Sequence, residues 1–506
     1  MLVRIFRFVV FLRLNFFLLL VAASATAGTL FKPVQTFSSG GIGAGRFAVA
    51  DLNKDGKADL IVPNGSGSVG VLLGKGDGSF MSPVSYPLTY LSPTAAAVAD
   101  VNGDGMPDIL VSISNCVGNT NGCVAVLLGN GDGSFRTAIY YDAGAPNTYS
   151  LAVADFNGDG KIDIAVADCS PFTGAACGLF GVMLGKGDGT FKPVSIYDSG
   201  GVGAWWVVTG DLNGDGKPDL VIGNLCPSTD CSPSTDGVVT VLLGKGDGTF
   251  ELPVGYDSGG RTLVPTIADV NNDGIPDILV TNNKGGAGVG VLIGNGDGTF
   301  HRVVTYSIGS RHPSTLAIAD VNGDSAMDVV VASDLQDQDS ALVVFLGNGD
   351  GTFTRTTGHY NAGGVRSIRV VTADLDGDGR PDVLVGNCAP SGTACNGTEQ
   401  GTVGVLLGAF QYKTTTVLTS SPNPSVEGQA VTLRATLTSS GPTKPTGAVH
   451  FKNGKSAIGS ATLVAGVATF TTTKLPVGTL SLTAVYRGDT YSAKSISAVL
   501  TQTVNP

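Results

Sequence analysis

Seven stretches of this chain share one pattern: Asp or Asn at alternate positions, a glycine, and a closing acid, as in Asp211-Leu212-Asn213-Gly214-Asp215-Gly216-Lys217-Pro218-Asp219. The copies begin at Asp51, Asp100, Asp155, Asp211, Asp269, Asp320 and Asp374, about 49 to 58 residues apart. A period of that size marks a repeat array in which each unit buries its apolar face against the next. A chain of 506 residues is also too long for one ordinary core.

Each period has the same order of parts. An apolar segment (residues 47–50) enters the acidic loop, a second (60–62) leaves it, and a third (69–73) follows a variable loop. A Gly-Lys/Asn-Gly-Asp-Gly-Ser/Thr-Phe turn then leads to a fourth, at 74–80, 129–135, 185–191, 244–250, 294–300 and 347–353. Short β-branched runs between Gly/Asp/Asn clusters, with 74 glycines in the chain, predict strands joined by tight turns and almost no helix. Four strands per period and seven periods predict an all-β, seven-bladed β-propeller over residues 28–410. The seventh turn is cut short at 406–410, and residues 28–37 resemble its missing part. Residues 31–37 are therefore expected to supply the outer strand of the last blade and close the ring. After a linker at 411–413 the grammar changes. Alternating runs at 431–437, 467–470 and 480–486 predict an immunoglobulin-like β-sandwich over 414–506.

The acidic loops carry the densest chemistry. When the backbone curls, side chains one, three and five converge. Glycine at six permits the turn, residue seven offers its carbonyl, and the ninth Asp can chelate with both oxygens. The candidate metal residues are thus Asp51, Asn53, Asp55, Lys57 and Asp59; Asp100, Asn102, Asp104, Met106 and Asp108; Asp155, Asn157, Asp159, Lys161 and Asp163; Asp211, Asn213, Asp215, Lys217 and Asp219. They continue with Asp269, Asn271, Asp273, Ile275 and Asp277; Asp320, Asn322, Asp324, Ala326 and Asp328; and Asp374, Asp376, Asp378, Arg380 and Asp382. All-oxygen ligation suits Ca²⁺, one ion per blade and up to seven in all, over the stricter octahedron of Mg²⁺. Ser325 in place of glycine marks the weakest loop, and Asp376 in place of Asn the strongest. The competing reading takes Asn-Gly-Asp-Gly as turn chemistry alone.

Phe-x-x-Pro-Val followed by Ala-Asp-Leu-Asn-Gly-Asp-Gly-Lys-Pro-Asp recurs from about residue 31 to 410, and this region resembles the FG-GAP/VCBS repeats, the calcium-loop propellers of integrin α-subunits and of many exported bacterial proteins. The tail from about 414 to 504, with its Tyr486-Arg487-Gly488-Asp489 turn, resembles bacterial Ig-like repeats. The resemblance implies the fold and the metal; it does not imply a ligand or a reaction.

Residues 1–27 read as an export signal. Arg4, Arg7 and Arg13 precede and punctuate an apolar run, and Ala25-Thr26-Ala27 offers a small-residue cleavage pattern. The alternative is an uncleaved anchor; no later segment is apolar enough to span a bilayer. Eight cysteines fall into close pairs, so loop-closure entropy favours disulfides Cys116–Cys123, Cys169–Cys177, Cys226–Cys231 and Cys388–Cys395 over zinc ligation. This agrees with a secreted, periplasmic or cell-surface protein. Net charge is −11, and about −14 without the signal's three arginines. One divalent cation in each of the seven loops would offset that acidity, which disfavours a nucleic-acid or anionic-membrane partner.

With the metal loops and Gly-Asp-Gly turns on one rim, the stapled loops and inter-blade connections share the other. There Arg46, Tyr149, Trp205, Trp206, Arg261, Arg311, His312 and Arg366 are candidate ligand residues, suited to stacking on sugars or pairing with carboxylates. The competing role for the tryptophans is packing between blades. The leading expectation is an exported, calcium-stabilised, non-catalytic adhesion or ligand-binding protein with an extracellular glycan or protein partner. The alternative is a secreted polysaccharide lyase or hydrolase using the same face. Against the enzyme, the four histidines, His301, His312, His359 and His450, are scattered, and no nucleophile motif appears.

Overall fold

A computed structural model describes residues 30–116, 121–168, 178–228, 236–283, 288–309, 312–334, 339–393, 395 and 397–506. The signal expected at 1–27 lies outside the described residues. The described chain is all-β and contains no helix.

Five four-stranded antiparallel sheets follow one another along the chain, at residues 48–87, 93–142, 148–198, 202–257 and 262–307. In each, the second and third strands are covered on both faces. Asp59–Asn64 is buried throughout, whereas the outer strand Val84–Pro87 is largely exposed. Burial on both faces explains why the middle strands read as continuous apolar runs rather than alternating ones.

An eight-stranded sheet joins residues 312–406 to the N-terminal strand Gln35–Ile42. It divides within the long strand Tyr360–Ala373. The start of that strand pairs with Asp339–Gly347, through Leu342↔Tyr360 and Ala341↔Asn361, as the outer strand of one four-strand unit. Its later part pairs with Asp382–Ala389 as the inner strand of the next. In that last unit Gln35–Ile42 pairs antiparallel with Gln400–Leu406, and Phe31 bridges to Gly408. The first strand among the described residues is thus held against a strand from the far end of the array.

Neighbouring units are joined the same way around the array. The turn phenylalanine of one unit meets, edge to face, an aromatic of the preceding unit's outer strand: Tyr86–Phe135, Tyr141–Phe191, Tyr197–Phe250, Tyr256–Phe300 and Tyr306–Phe353. At the seam Phe37 plays the tyrosine's part against Phe80, at 5.3 Å, and Phe31 plays the turn's part against Tyr360, at 5.0 Å. Apolar clusters fill the spaces between units, including one in which Phe47, Leu60 and Leu72 pack with Leu384, Val403 and Val405 across the seam. Close approach is also needed there: a Cβ on Gly70 would run into the Ser39 carbonyl.

The C-terminal domain is a sandwich. Thr414–Ser421, Val431–Ser439 and Val467–Thr472 form one sheet. The other is built on Leu500–Asn505, Gly478–Tyr486, Ala448–Asn453 and Ser456–Thr462. Leu433, Val449, Phe451, Leu482 and Tyr486 form its core. The short linker expected at residues 411–413 is anchored to the array at Tyr412 and Lys413. Tyr412 is buried, its hydroxyl donates to the Gly379 carbonyl, and the Lys413 N–H donates to the Gly323 carbonyl. The Ser440 hydroxyl also donates to Gly323, so the sandwich rests on the sixth and seventh acidic loops.

Candidate metal loops and the channel-end cluster

Each acidic loop curls around its first aspartate. In the fourth copy, Asp211 Oδ1 accepts from Gly214 N and Asp215 N, and Oδ2 accepts from Gly216 N at 2.8 Å. The side chains at positions three and five then accept from the backbone two residues on, as Asn213 does from Asp215 N and Asp215 from Lys217 N. Position six is left-handed in every copy, including Ser325, whose φ of 75° glycine would adopt without strain. Position four is left-handed as well, with Lys54 at 59° and Asn272 at 60° where other copies have glycine.

The ninth aspartate has a second task that its sequence pattern did not reveal. Asp219 is fully buried; its Oδ2 accepts from Leu212 N at 2.8 Å and its Oδ1 from Gly244 N, in the later Gly-Asp-Gly turn, at 2.7 Å. The pair recurs at Asp59, Asp108, Asp163, Asp277, Asp328 and Asp382. This carboxylate therefore ties the acidic loop to the turn after the third strand without needing a cation. Burial raises its pKa in each copy, against the pull of the two N–H donors. The rise reaches about 7 at Asp328 and Asp382, the two loops under the sandwich domain.

The fifth-position carboxylate is partnered in two ways. Where residue seven is basic it folds back, as in Lys57–Asp55, Lys161–Asp159, Lys217–Asp215 and Arg380–Asp378. Where residue seven is Met106, Ile275 or Ala326, the position-three amide donates instead, from Asn102, Asn271 or Asn322. At Asp378 burial acts upward but is outweighed by the hydrogen bonds and charge of Arg380, which hold the carboxyl low. Among the described residues one group of acids offers three carboxylate oxygens within 4.8 Å of one another: Asp374, Asp376 and Asp382. That hard, all-oxygen donor set fits a divalent cation of the calcium type, and Asp376, absent from the other copies, completes it. Bound there, the ion would supply charge neutralisation for carboxylates that otherwise repel.

On the other side of the strands, the innermost strand of every unit after the first carries a β-bulge shortly before the acidic loop. Register shifts enclose Thr94, Tyr149, Trp205, Leu263, Ser314 and Ile368, each six residues before its loop's first aspartate. All six are half-buried. A bulge re-aims a side chain, and here it turns this position away from the packed sheet faces. Trp205, Trp206, Tyr149, His312 and Arg366 were expected in connecting loops. They lie instead within the strands Val202–Gly210, Thr148–Ala154, His312–Ala319 and Tyr360–Ala373, because the inner strands extend past the bulge.

Four of the candidate ligand residues come together there. Tyr149 stacks on Trp205 at 4.3 Å and 24°. Arg46 donates from Nη1 to the Tyr149 carbonyl at 3.2 Å, and its guanidinium lies 5.4 Å from the Trp205 ring and 4.8 Å from the Trp206 ring. The structure adds a residue the motif search missed: Arg369, 5.0 Å from the Trp206 ring. Arg46, Trp206 and Arg369 all stand five residues before their loop's first aspartate, so aligning the repeats at that position could have found it. The cluster draws on strands from opposite parts of the array, which places it at one end of the central channel. Enclosure lowers the pKa of Arg46 to about 10, with repulsion from Arg369 adding to the effect, and burial takes Arg369 to about 10.

The remaining candidates are not part of this cluster. Among the described residues no hydrogen bond, ring contact or cation–π contact joins Arg261, His312 or Arg366 to it; His312 and Arg366 are exposed. Arg366 lies against Cys395. Arg311 is outside the described residues. Disulfides Cys116–Cys123 and Cys388–Cys395 are present. Cys226 is disulfide-bonded, while Cys231, Cys169 and Cys177 lie outside the described residues. The Arg487-Gly488-Asp489 tripeptide closes a turn: the Asp489 carboxylate accepts from Thr446, Tyr491 and Ser492.

A family model described as FG-GAP-like repeat matches residues 51–111, 115–166, 177–222, 230–280, 269–331 and 320–385, more than half of the chain. The chain belongs to the FG-GAP-like repeat family. An FG-GAP repeat model also matches 203–242 and 368–406, and a bacterial Ig-like domain (group 3) matches 418–505. Similar curated proteins include phosphatidylinositol-glycan-specific phospholipase D of Bos taurus, 32% identical over 162 residues, covering 28% of this chain and 19% of that protein. Integrin alpha-V of Gallus gallus is 28% identical over 145 residues, covering 27% of this chain and 14% of that protein. The FG-GAP chain thus spans under a fifth of the length of these two relatives. Among solved structures, BBS1N in complex with ARL6DN aligns with a TM-score of 0.47 and 9% identity, over 75% of this chain and 97% of that one.

Proposed function

We propose that this FG-GAP protein is an exported, calcium-stabilised, non-catalytic adhesion or ligand-binding protein, with a seven-bladed propeller that binds at the end of its central channel remote from the acidic loops. The observation that carries this reading is the convergence of Arg46, Tyr149, Trp205 and Arg369, all half-buried, around the buried Trp206, from units far apart in the chain. Aromatic and arginine side chains held together on a rigid scaffold are the usual anchors of recognition.

Seven blades are supported by five four-stranded sheets together with an eight-stranded sheet that divides into two four-strand units. Seven apolar clusters outside the sandwich domain support the same count. Calcium is supported by the donor set at Asp374, Asp376 and Asp382 and by the resemblance to integrin alpha-V. An oxidising, extracytoplasmic location is supported by the two disulfides; no helix among the described residues is long and apolar enough to cross a membrane.

The test is a glycan and protein-ligand array run beside polysaccharide turnover assays. Binding without turnover, lost in Trp205→Ala, supports the reading. Cleavage of any polysaccharide replaces it with a carbohydrate-active enzyme, and retention of binding in Trp205→Ala removes the channel end as its site.

A further inference from the structure

Arg46 and Arg369 make an unusual pair. Their guanidiniums lie 4.8 and 5.0 Å from the same Trp206 ring, and neither takes part in an ion pair among the described residues. Arg46 has a backbone carbonyl as its hydrogen-bond partner, and the buried Nε of Arg369 has no partner among the described residues. The chain around them carries a net charge of −11, with most of its acids in the nine-residue loops and the Gly-Asp-Gly turns. Two half-buried guanidiniums brought together with no carboxylate beside them among the described residues repel each other, and an anion between them would offset that cost.

A carboxylate suits the fork of a guanidinium, accepting two parallel N–H bonds where a point charge would satisfy one. Beside the arginines, the half-buried Tyr149–Trp205 stack offers the flat apolar surface on which the C–H face of a sugar ring rests. We propose, building on the ligand-binding reading above, that the channel end takes an acidic sugar, its carboxylate received by Arg46 and Arg369 and its ring carried by the Tyr149–Trp205 pair. An acidic peptide would engage the arginines without needing the aromatic stack.

The experiment is isothermal titration of the full chain with three probes: oligogalacturonate, the matched neutral galactose oligomer, and a polyglutamate peptide, each at low and high salt. Oligogalacturonate is expected to bind about tenfold or more tightly than the neutral oligomer, and to weaken with salt. Arg46→Gln, Arg369→Gln and Trp205→Ala should each weaken it about ten- to a hundredfold with an unchanged melting temperature. Equal affinity for acidic and neutral oligomers overturns the acidic preference while leaving the ligand-binding reading intact. Binding of polyglutamate alone overturns the sugar, and no binding of any probe overturns the inference. If the glutamine variants fail to fold, Arg369→Lys keeps the charge and loses the fork. A folded Arg369→Lys that binds as well as the parent overturns the paired-carboxylate geometry.

Discussion

Replacing Asp219 by Asn separates two roles that its sequence position confounds. In the structure the carboxylate accepts two backbone N–H bonds, from Leu212 at 2.8 Å and Gly244 at 2.7 Å, and it is fully buried. An amide of the same shape can accept only one of them; its NH₂ group then faces the other N–H as donor against donor. Losing a charge-assisted bond costs about 1.5–3 kcal/mol, and leaving a buried N–H unsatisfied about 1–3 kcal/mol more. Some of this is offset, because burial disfavours the ionised form and the neutral amide relieves that cost. The net expectation is a loss of about 3 kcal/mol, or roughly 4 °C in the melting temperature of a cooperative unit this large. Thermal unfolding of parent and Asp219→Asn, each in excess Ca²⁺ and in EGTA, reads both roles. The clamp predicts a drop of this size in EGTA as well as in Ca²⁺. Identical melting temperatures in EGTA, with a difference only in Ca²⁺, would falsify the clamp and leave Asp219 as a metal ligand alone.

Four further outcomes are expected. Ser325→Gly should stabilise the protein by about 1 kcal/mol, by relieving a non-glycine residue held at a φ of 75°; an unchanged or lower unfolding midpoint counts against that strain. Phe37→Ala should cost about 2 kcal/mol and speed proteolysis near the N-terminus, since Phe37 meets Phe80 across the seam at 5.3 Å. Equal protease resistance in the two proteins would show that the seam does not depend on that contact. Asp376→Asn should remove the tightest calcium site in a titration followed by metal analysis, and unaltered stoichiometry and affinity would argue against the seventh loop's special status. In the sandwich domain, burial pushes the Asp489 carboxyl up but is outweighed by hydrogen bonds from Thr446, Tyr491 and Ser492, which hold it well below the usual range. A depressed folded pKa means that its stabilisation is fully present above about pH 4 and is lost as pH falls below that value. Asp489→Asn should flatten this acid limb of the domain's stability curve, and an unchanged limb would assign it to other carboxylates.

The acidic loops were legible because their chemistry is local. A left-handed residue at position six, the alternation of Asp and Asn, and the turn glycines act over nine residues, and repetition made the pattern visible. The same locality set the limit. The ninth aspartate read as a metal ligand because the loop alone contains no other partner for it. Its second hydrogen bond reaches Gly244, which lies 25 residues further on and meets it only when the third strand pairs back. Arg369 was hidden for a related reason: it lies inside the strand Tyr360–Ala373, three residues after Arg366, and only its position relative to the acidic loop, shared with Arg46 and Trp206, marks it.

The amino-acid order by itself determined the repeat, the four-strand grammar of each unit, the metal-type loops and the change to a sandwich after residue 410, since these follow from turn chemistry and from which strands are apolar on both faces. Only the tertiary structure decided which residues share a site. Arg46, Tyr149, the two tryptophans and Arg369 are spread over more than three hundred positions, and they meet because a curved array turns equivalent positions of distant strands toward one axis. Bulges then turn Tyr149 and Trp205 out of the packed sheet faces, and no local pattern records that convergence.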